Sequence, residues 1–573
     1  MSFVVGVYAR SRDAPLQHPE TAELRKALQI GPMESAGVAG TSRLQLAWLR
    51  LEGSVGEPAR DEAGSLSLLW GSLYRDGQDD ASNRTLLREE SGKDQPALGA
   101  ISGDFGFAFH DTVTDSLQLL TDKLGIRALF VFHTPDRVWF ASSLRVMERL
   151  PAVRKVMDLR AVTEMAFFGW PLGDRTPYLD IRVLRPGERL RIDATRVRAD
   201  YYWRWNTLPA WRGNRADSVA DLASRFRTAI RRRRGADARV FSLLSGGLDS
   251  RMIAAALREQ GAEVVACNFS PTGTQDQIYS GEAARALGCR YSSLPLRHGR
   301  TPDLYAQLSD AWRTGMIDSG GPVDRPHWVI TGIGGSTGFG AVFWDEELIG
   351  YFRSGRTREG VEFFIKRMGW QLIERLYRRE DLARMREALV EGVLEQLRDF
   401  PCEDPARSFH LFEMMNDQRR HLHAHWDNAA VHGLQFHVPY FDSQFLERML
   451  SIPLDWTLFH DLYYQWMERF DPAARSVPWQ VYPGHKPCPI RPIQPAPTQW
   501  EAAGKYELSD RRAWDAPLGE ILAMRPFPEM LSRNYLRYVR LRRAFGGDYG
   551  YAVDAARKTC DIWARSGGQF EWR

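Results

Sequence analysis

Ser245-Gly246-Gly247-Leu248-Asp249-Ser250 is the segment of this chain best equipped for chemistry. Five strand-forming residues, Val240 to Leu244, run into it, and a helical pattern begins at Arg251. A small-residue turn between a buried strand and a helix N-terminus gathers several backbone N–H groups, which makes a cradle for a polyphosphate. Two glycines let the backbone come close to the anion. Ser245 and Ser250 add hydroxyl donors. A carboxylate cannot be there to grip phosphate directly, so the natural partner of Asp249 is a phosphate-bound Mg²⁺. The motif has no Lys of the Walker type. Leu243, Ser245, Gly246, Gly247, Leu248, Asp249 and Ser250 are therefore the candidate phosphate-binding residues, with Asp249 the candidate metal ligand.

Other polar groupings offer less. His421, His425 and His432 would share one face of a helix, with His423 beside them. No carboxylate or Cys joins them at a zinc spacing, so a polar helix face is expected. Arg231 to Arg234 read as a solvated helix end. The five arginines between Arg533 and Arg543 interleave with apolar residues as an amphipathic helix, either packed on the domain or offered to a partner.

The elements that position the motif follow from length and pattern. The chain has 573 residues, which calls for two or three domains. Hydrophobic content of 44% and charged content of 26% are those of an ordinary globular protein. A net charge of +4 argues for no nucleic-acid partner. Five scattered cysteines without a CxxC pair point away from a disulfide scaffold, to a reducing, cytoplasmic setting. Met1 to Val7 reads as a strand rather than a signal peptide, and no apolar run is long enough for a membrane span. Residues 1–205 alternate as short strands, Phe3–Val7, Leu44–Leu51, Phe105–His110, Leu117–Thr121, Phe130–Phe132, Val138–Ala141 and Arg189–Ile192, with helices near Thr21–Ile30 and Leu159–Gly169. A turn-rich linker spans Trp205–Asn214. Beyond it strands and helices alternate, which implies a parallel sheet covered by helices, and from about residue 360 the chain is mainly helical.

The Ser245–Ser250 loop resembles that of the ATP pyrophosphatases, and the two halves together resemble the asparagine synthetase family. Ser102-Gly103-Asp104-Phe105, Thr121-Asp122-Lys123-Leu124-Gly125 and Val138-Trp139-Phe140-Ala141-Ser142-Ser143 match its first half. Asp276 with Glu282 to Gly288, and Val438-Pro439-Tyr440-Phe441-Asp442, match its second. The resemblance implies an α+β sandwich of the N-terminal nucleophile hydrolase type (αββα), residues 1–205, as a degenerate class II glutamine amidotransferase domain. It implies an α/β ATP-pyrophosphatase domain with a parallel sheet and helical C-terminal part at 215–573. ATP and Mg²⁺ are the implied cofactors, and Gly332 and Gly334 join the nucleotide-binding set through the family's second glycine loop. Val477 to Pro489 looks like the region carrying the family's active-site Lys, with Lys486 the candidate. Its Tyr-Pro-Gly-His-Lys-Pro-Cys-Pro setting is most similar to the lasso-peptide cyclase branch.

Departures from the family narrow the expectation. Position 2, a Cys in glutamine-using members, is Ser2, and Trp70-Gly71-Ser72 stands where the glutamine-gripping Asn-Gly-Glu belongs. Ser336 and Ile333 stand where a second metal-binding Asp and an acid/base residue are usual. The expected function is ATP-dependent, AMP-forming isopeptide formation. A side-chain carboxylate of a precursor peptide is adenylated, and the peptide's own N-terminal amine attacks it. A leader peptidase and a leader-binding protein are implied partners. The alternatives are a small-molecule amide or β-lactam synthetase and an inactive peptide- or nucleotide-binding scaffold.

Overall fold

The computed structural model describes residues 3–11, 16, 18–30, 36–49, 57–75, 80–94, 96–294, 301–317, 327–339, 344–369, 374–482, 484–492, 495–498, 511–545, 547 and 549–572. Ser2 lies outside them.

The first domain stacks two antiparallel six-stranded sheets. One is built from β1 (Phe3–Ala9), β2 (Ala36–Gly40), β3 (Leu44–Leu49), β8 (Phe130–His133), β9 (Arg137–Ala141) and β11 (Ile181–Val183), in the order β11-β8-β9-β1-β3-β2. The other is built from β4 (Ala59–Arg60), β5 (Leu66–Tyr74), β6 (Ser102–Asp111), β7 (Ser116–Thr121), β12 (Glu188–Ile192) and β13 (Val197–Tyr201), in the order β13-β12-β7-β6-β5-β4. Strand alternation sorts their side chains between layers. Val4 and Tyr8 point into the space between the sheets with Leu46, Leu68, Trp70 and Leu119, while Phe3, Val5 and Val7 point outward onto the His18–Ala27 helix. Leu69, Phe107 and Leu120 of the second sheet pack on Leu87 of the Asp80–Ser91 helix. The layers are thus helix, sheet, sheet, helix, the N-terminal nucleophile hydrolase arrangement.

β5 is absent from the strands expected by alternation. Its sequence, Leu-Ser-Leu-Leu-Trp-Gly-Ser-Leu-Tyr, lies between two covered faces, so a run of apolar residues replaces the two-residue period.

The second domain is organised around a five-stranded, wholly parallel sheet built from β14 (Arg239–Leu243), β15 (Glu263–Asn268), β16 (Arg290–Ser293), β17 (His327–Ile330) and β18 (Leu434–His437), in the order β16-β15-β14-β17-β18. The chain moves outward from β14 through β15 to β16, then crosses back and places β17 on the other flank of β14. The crevice at the carboxyl ends of β14 and β17 is therefore the topological switch point, where open α/β sheets bind ligands. A small parallel pair, β10 (Met157–Asp158) with β19 (Phe570–Glu571), returns the far end of the fold to the first domain. No helix among the described residues is long and apolar enough to cross a membrane.

The domains meet across a buried polar seam. Arg233 is 6% exposed and lies 2.9 Å from Asp442 and 3.9 Å from Asp104. It is no solvated helix end, because burial of the Arg215–Arg234 helix carries this one arginine between the domains. Asp104 also meets Arg127 at 3.5 Å, and Lys123 pairs with Glu447 at 2.6 Å.

Candidate active site

The two glycine loops face each other at the switch point. One follows β14 and opens the Asp249–Glu259 helix; the other follows β17 and runs into the short Gly335–Gly338 helix. Their approach leaves no room for side chains. A Cβ on Gly332 would stand 2.6 Å from the Ser250 nitrogen, and one on Gly335 would stand 2.5 Å from Asp249 Cγ. Gly334 has φ +92°, in the left-handed region where glycine is at ease, and a Cβ there would stand 2.3 Å from the Phe441 ring.

Within the first loop, Ser250 Oγ accepts from the Ser245 N–H at 2.8 Å, and Ser245 Oγ accepts from the Gly247 N–H at 3.2 Å. Gly246 N–H donates to Asp276 Oδ1 at 2.8 Å. Asp276 thus holds the loop from the first turn of the next helix, Gln275–Ala286, whose own cap is Thr274. The opening N–H groups of the Asp249–Glu259 helix have no intrahelical carbonyl to reach, which leaves them to an anion.

Asp249 is the hub. Its Oδ2 accepts from both the Ser336 N–H at 3.1 Å and the Ser336 hydroxyl at 2.9 Å. Oδ1 accepts from the Tyr463 hydroxyl at 2.8 Å, and the Asp249 carbonyl accepts from Tyr440 at 3.0 Å. Loss of water pushes the Asp249 pKa up, and the Tyr463 and Ser336 bonds oppose this by favouring the charged form. Ser336, the residue found where a second carboxylate is usual, thus binds the first one.

Arg251, fully buried, is satisfied by carbonyls rather than by a carboxylate. Nη1 donates to Ala474 at 3.2 Å and Val477 at 3.0 Å, and Nη2 to Pro478 at 2.8 Å. Burial draws its pKa down to about 10, which leaves it charged at neutral pH. It fastens the phosphate loop to the segment that carries Lys486, and the Gln480 N–H adds a bond to the Gly246 carbonyl at 3.0 Å. The buried side-chain amide of Gln480 has no hydrogen-bond partner among the described residues, so a polar group is left beside the loop for a ligand.

Lys486 itself is exposed. Its ammonium lies 3.9 Å from Asp461 Oδ1 and 5.7 Å above the Tyr464 ring, and its carbonyl accepts from the Tyr464 hydroxyl at 2.9 Å. It is brought to the same end of the sheet as Asp249 but makes no contact with it. Between them runs a strained turn. Phe459 and His460 have φ of +53° and +65°, which two consecutive non-glycine residues seldom adopt. The His460 ring turns inward against His485, Tyr463 and Tyr482, at 4.6, 5.5 and 6.0 Å between centroids.

The remaining expectations sort as follows. Leu243 and Leu248 are buried supports of the loop. The His421 and His425 rings lie 4.3 Å apart, tilted at 52°, and His423 bonds the Gly125 carbonyl, so these imidazoles belong to packing. No group of three potential ligands that could hold a metal occurs among the described residues. Trp479 is buried and packs on Tyr464. Tyr463, Arg251 and His460 had no sequence signal, because each acts through a contact no pattern encodes. Tyr440 and Gln480 lay inside matched segments and could have been marked from them.

The fold and the site define an amidotransferase-type sandwich joined to a nucleotide-loop α/β domain. Residues 221–465 match the family model for asparagine synthase, and residues 79–203 match the glutamine amidotransferase domain. The chain belongs to the asparagine synthetase family, and its second domain is of the ATP-dependent carbon–nitrogen ligase type. No curated protein matches the sequence. Similar solved structures include a glutamine phosphoribosylpyrophosphate amidotransferase from B. subtilis complexed with ADP and GMP. It is 12% identical over 52% of this chain and 91% of that one, with a TM-score of 0.26. Another is an allosteric regulatory enzyme of purine biosynthesis, 14% identical over 52% of this chain and 82% of that one, with a TM-score of 0.25.

Proposed function

We propose that this chain forms an isopeptide bond at the expense of ATP, which it cleaves to AMP and pyrophosphate. A side-chain carboxylate of a precursor peptide attacks the α-phosphorus, and pyrophosphate leaves. The peptide's N-terminal amine then attacks the acyl carbon, loses a proton, and displaces AMP. The reading rests on one observation: a nucleotide loop at the switch point is joined to a sandwich whose ammonia-forming residues are replaced. Trp70 is buried between the sheets rather than lining a pocket, and Asp104 is held by Arg127 and Arg233. Both arrangements support the reading that the sandwich does not hold a free amino acid.

The residues present fit a nucleotide with Mg²⁺. The glycine cradle and the helix N-terminus suit a polyphosphate, and Mg²⁺ is commonly held by one or two carboxylates plus phosphate oxygens. Asp249 would hold it, and its chemistry there is neutralisation of the departing pyrophosphate. Ser245, Gly246, Gly247 and Ser250, with Gly332 and Gly334, would surround the phosphates. Lys486 would add positive charge beside the reacting groups, and the sandwich would serve as scaffold. Holding amine and acyl group together supplies the rate. The leader peptidase and leader-binding protein are proposed to deliver the peptide.

The bonds that already occupy Asp249 favour a second reading, a nucleotide- or peptide-binding scaffold without turnover. ATP–pyrophosphate exchange with short peptides encoded beside this gene separates the two. Mass spectrometry then tests the nitrogen source. A cyclised product is one water lighter than the linear peptide, whereas ammonia gives a side-chain amide about one mass unit lighter than the acid. No exchange supports the scaffold. An amide product, or a requirement for glutamine, overturns the cyclisation.

A further inference from the structure

A cleft of about 620 Å³ opens beside Lys486, on the outer side of the strained turn. This volume is that of a small-ligand site, within the common range of about 300–1,000 Å³. Its apolar lining comes from Ile349, Leu458 and Phe459, and its charged lining from Glu346, Arg353, Asp455, Asp461 and Lys486. The turn that sends His460 inward leaves Phe459 outward and 37% exposed, a large ring held in an unfavourable backbone conformation at a cavity wall. Strain of this kind persists where the surroundings enforce it, and it gathers at ligand contacts.

Charge decides which ligand fits. Three carboxylates face two cations in this cleft. Arg353 is consumed by Asp404 and Asp455, at 2.7 and 2.8 Å, and Asp461 is shared between Arg215 and Lys486. Glu346 is exposed and forms no ion pair among the described residues. A carboxylate in the first turn of a helix also suits the helix dipole, but that leaves its charge uncancelled by any side chain.

We propose that this cleft binds the amine-bearing end of a peptide, with the α-ammonium against Glu346 and an apolar side chain on Phe459, Ile349 and Leu458. The inference rests on the proposed function for its purpose, since it gives the nucleophile's half of the substrate a seat next to Lys486. It assigns that half by chemistry: a protonated amine followed by an apolar residue.

The test uses the full chain and the dipeptide amide Phe-Gly-NH₂, with its N-acetyl counterpart as control, titrated by saturation-transfer NMR. The free amine is expected to saturate, acetylation to weaken it at least ten-fold, and affinity to fall as pH rises through the α-amino titration near 8. Glu346→Gln should abolish the distinction between the two probes. Phe459→Ala should weaken the free amine about ten-fold while ATP affinity stays within two-fold. Equal binding of both probes to the unaltered chain, or unchanged binding by Glu346→Gln, overturns the proposal. Glu346 is exposed, so its variant keeps the test valid if Phe459→Ala does not fold. No turnover is measured, so a failure of ATP–pyrophosphate exchange would remove the proposed reaction without altering this result.

Discussion

Asp249 sits where water is scarce, and three donors from Ser336 and Tyr463 favour its charged form against burial. Asp249→Ala should therefore cost on the order of 10²-fold or more in AMP formation, because the leaving pyrophosphate loses its counterion. Unchanged AMP release from a folded variant would remove Asp249 from the chemistry. Lys486 is a different case. It is exposed and only loosely paired, so Lys486→Ala should leave the thermal midpoint within a degree or two while stopping product formation. Product at the unaltered rate would make it plain surface. The sequence marks both as candidates, Asp249 from the loop itself and Lys486 from its resemblance to the family's Lys segment; the structure puts Asp249 between the two glycine loops and Lys486 on the surface beside Asp461. Neither Tyr463 nor Arg251 was legible in the sequence, since each lies in an apolar helical pattern that gives no hint of what its polar end touches.

At the scale of elements, the glycine loops work because their backbones nearly touch. Gly335→Ala would push a methyl against Asp249, and a displacement of about 1 Å in a reacting group can cost 10²-fold. The expected result is a large fall in kcat with a small change in melting temperature; equal activity would show that the Gly335–Gly338 turn gives way freely. Behind this turn, residues Glu413–Gln418 form a π-helix, and Glu413 accepts from the Trp344 indole. Burial, its largest cause, lifts the Glu413 pKa to about 8, with neighbouring Asp417 adding to the rise. A raised acid pKa means that stability is fully present below the usual value of 4.5 and is lost as pH climbs through about 8. Glu413→Gln should flatten the fall of the melting temperature between about pH 5 and 8, and parallel curves would refute this. The parallel sheet and its loop were readable because a strand, a turn and a helix are local events. β5 and the π-helix were not, because burial on both faces and a single extra residue in a helical turn depend on what packs around them.

For the whole molecule, the seam between the domains matters most. Arg233 answers two carboxylates from different parts of the chain, Asp442 from its own domain and Asp104 from the sandwich. Arg233→Met should cost about 3–5 kcal/mol, since the nearer carboxylate, Asp442, would stay buried without this counterion. Denaturant melts followed by probes in either domain should shift together; separate transitions would show that the halves fold alone. Under the proposed function, the sandwich would then be kept for what it props up.

The pairing of β10 with β19 has a temporal meaning. Met157–Asp158 emerges from the ribosome long before Phe570–Glu571, yet these residues form one ladder, and the Met157 N–H finds its partner in the Gln569 carbonyl. Met157–Asp158 is bridged on one side by Tyr178, but its other side must wait for β19 through synthesis of the second domain. A nascent chain of this protein therefore carries an open strand edge until Phe570–Glu571 is made, and pausing or premature release within that interval leaves an edge that another chain can occupy.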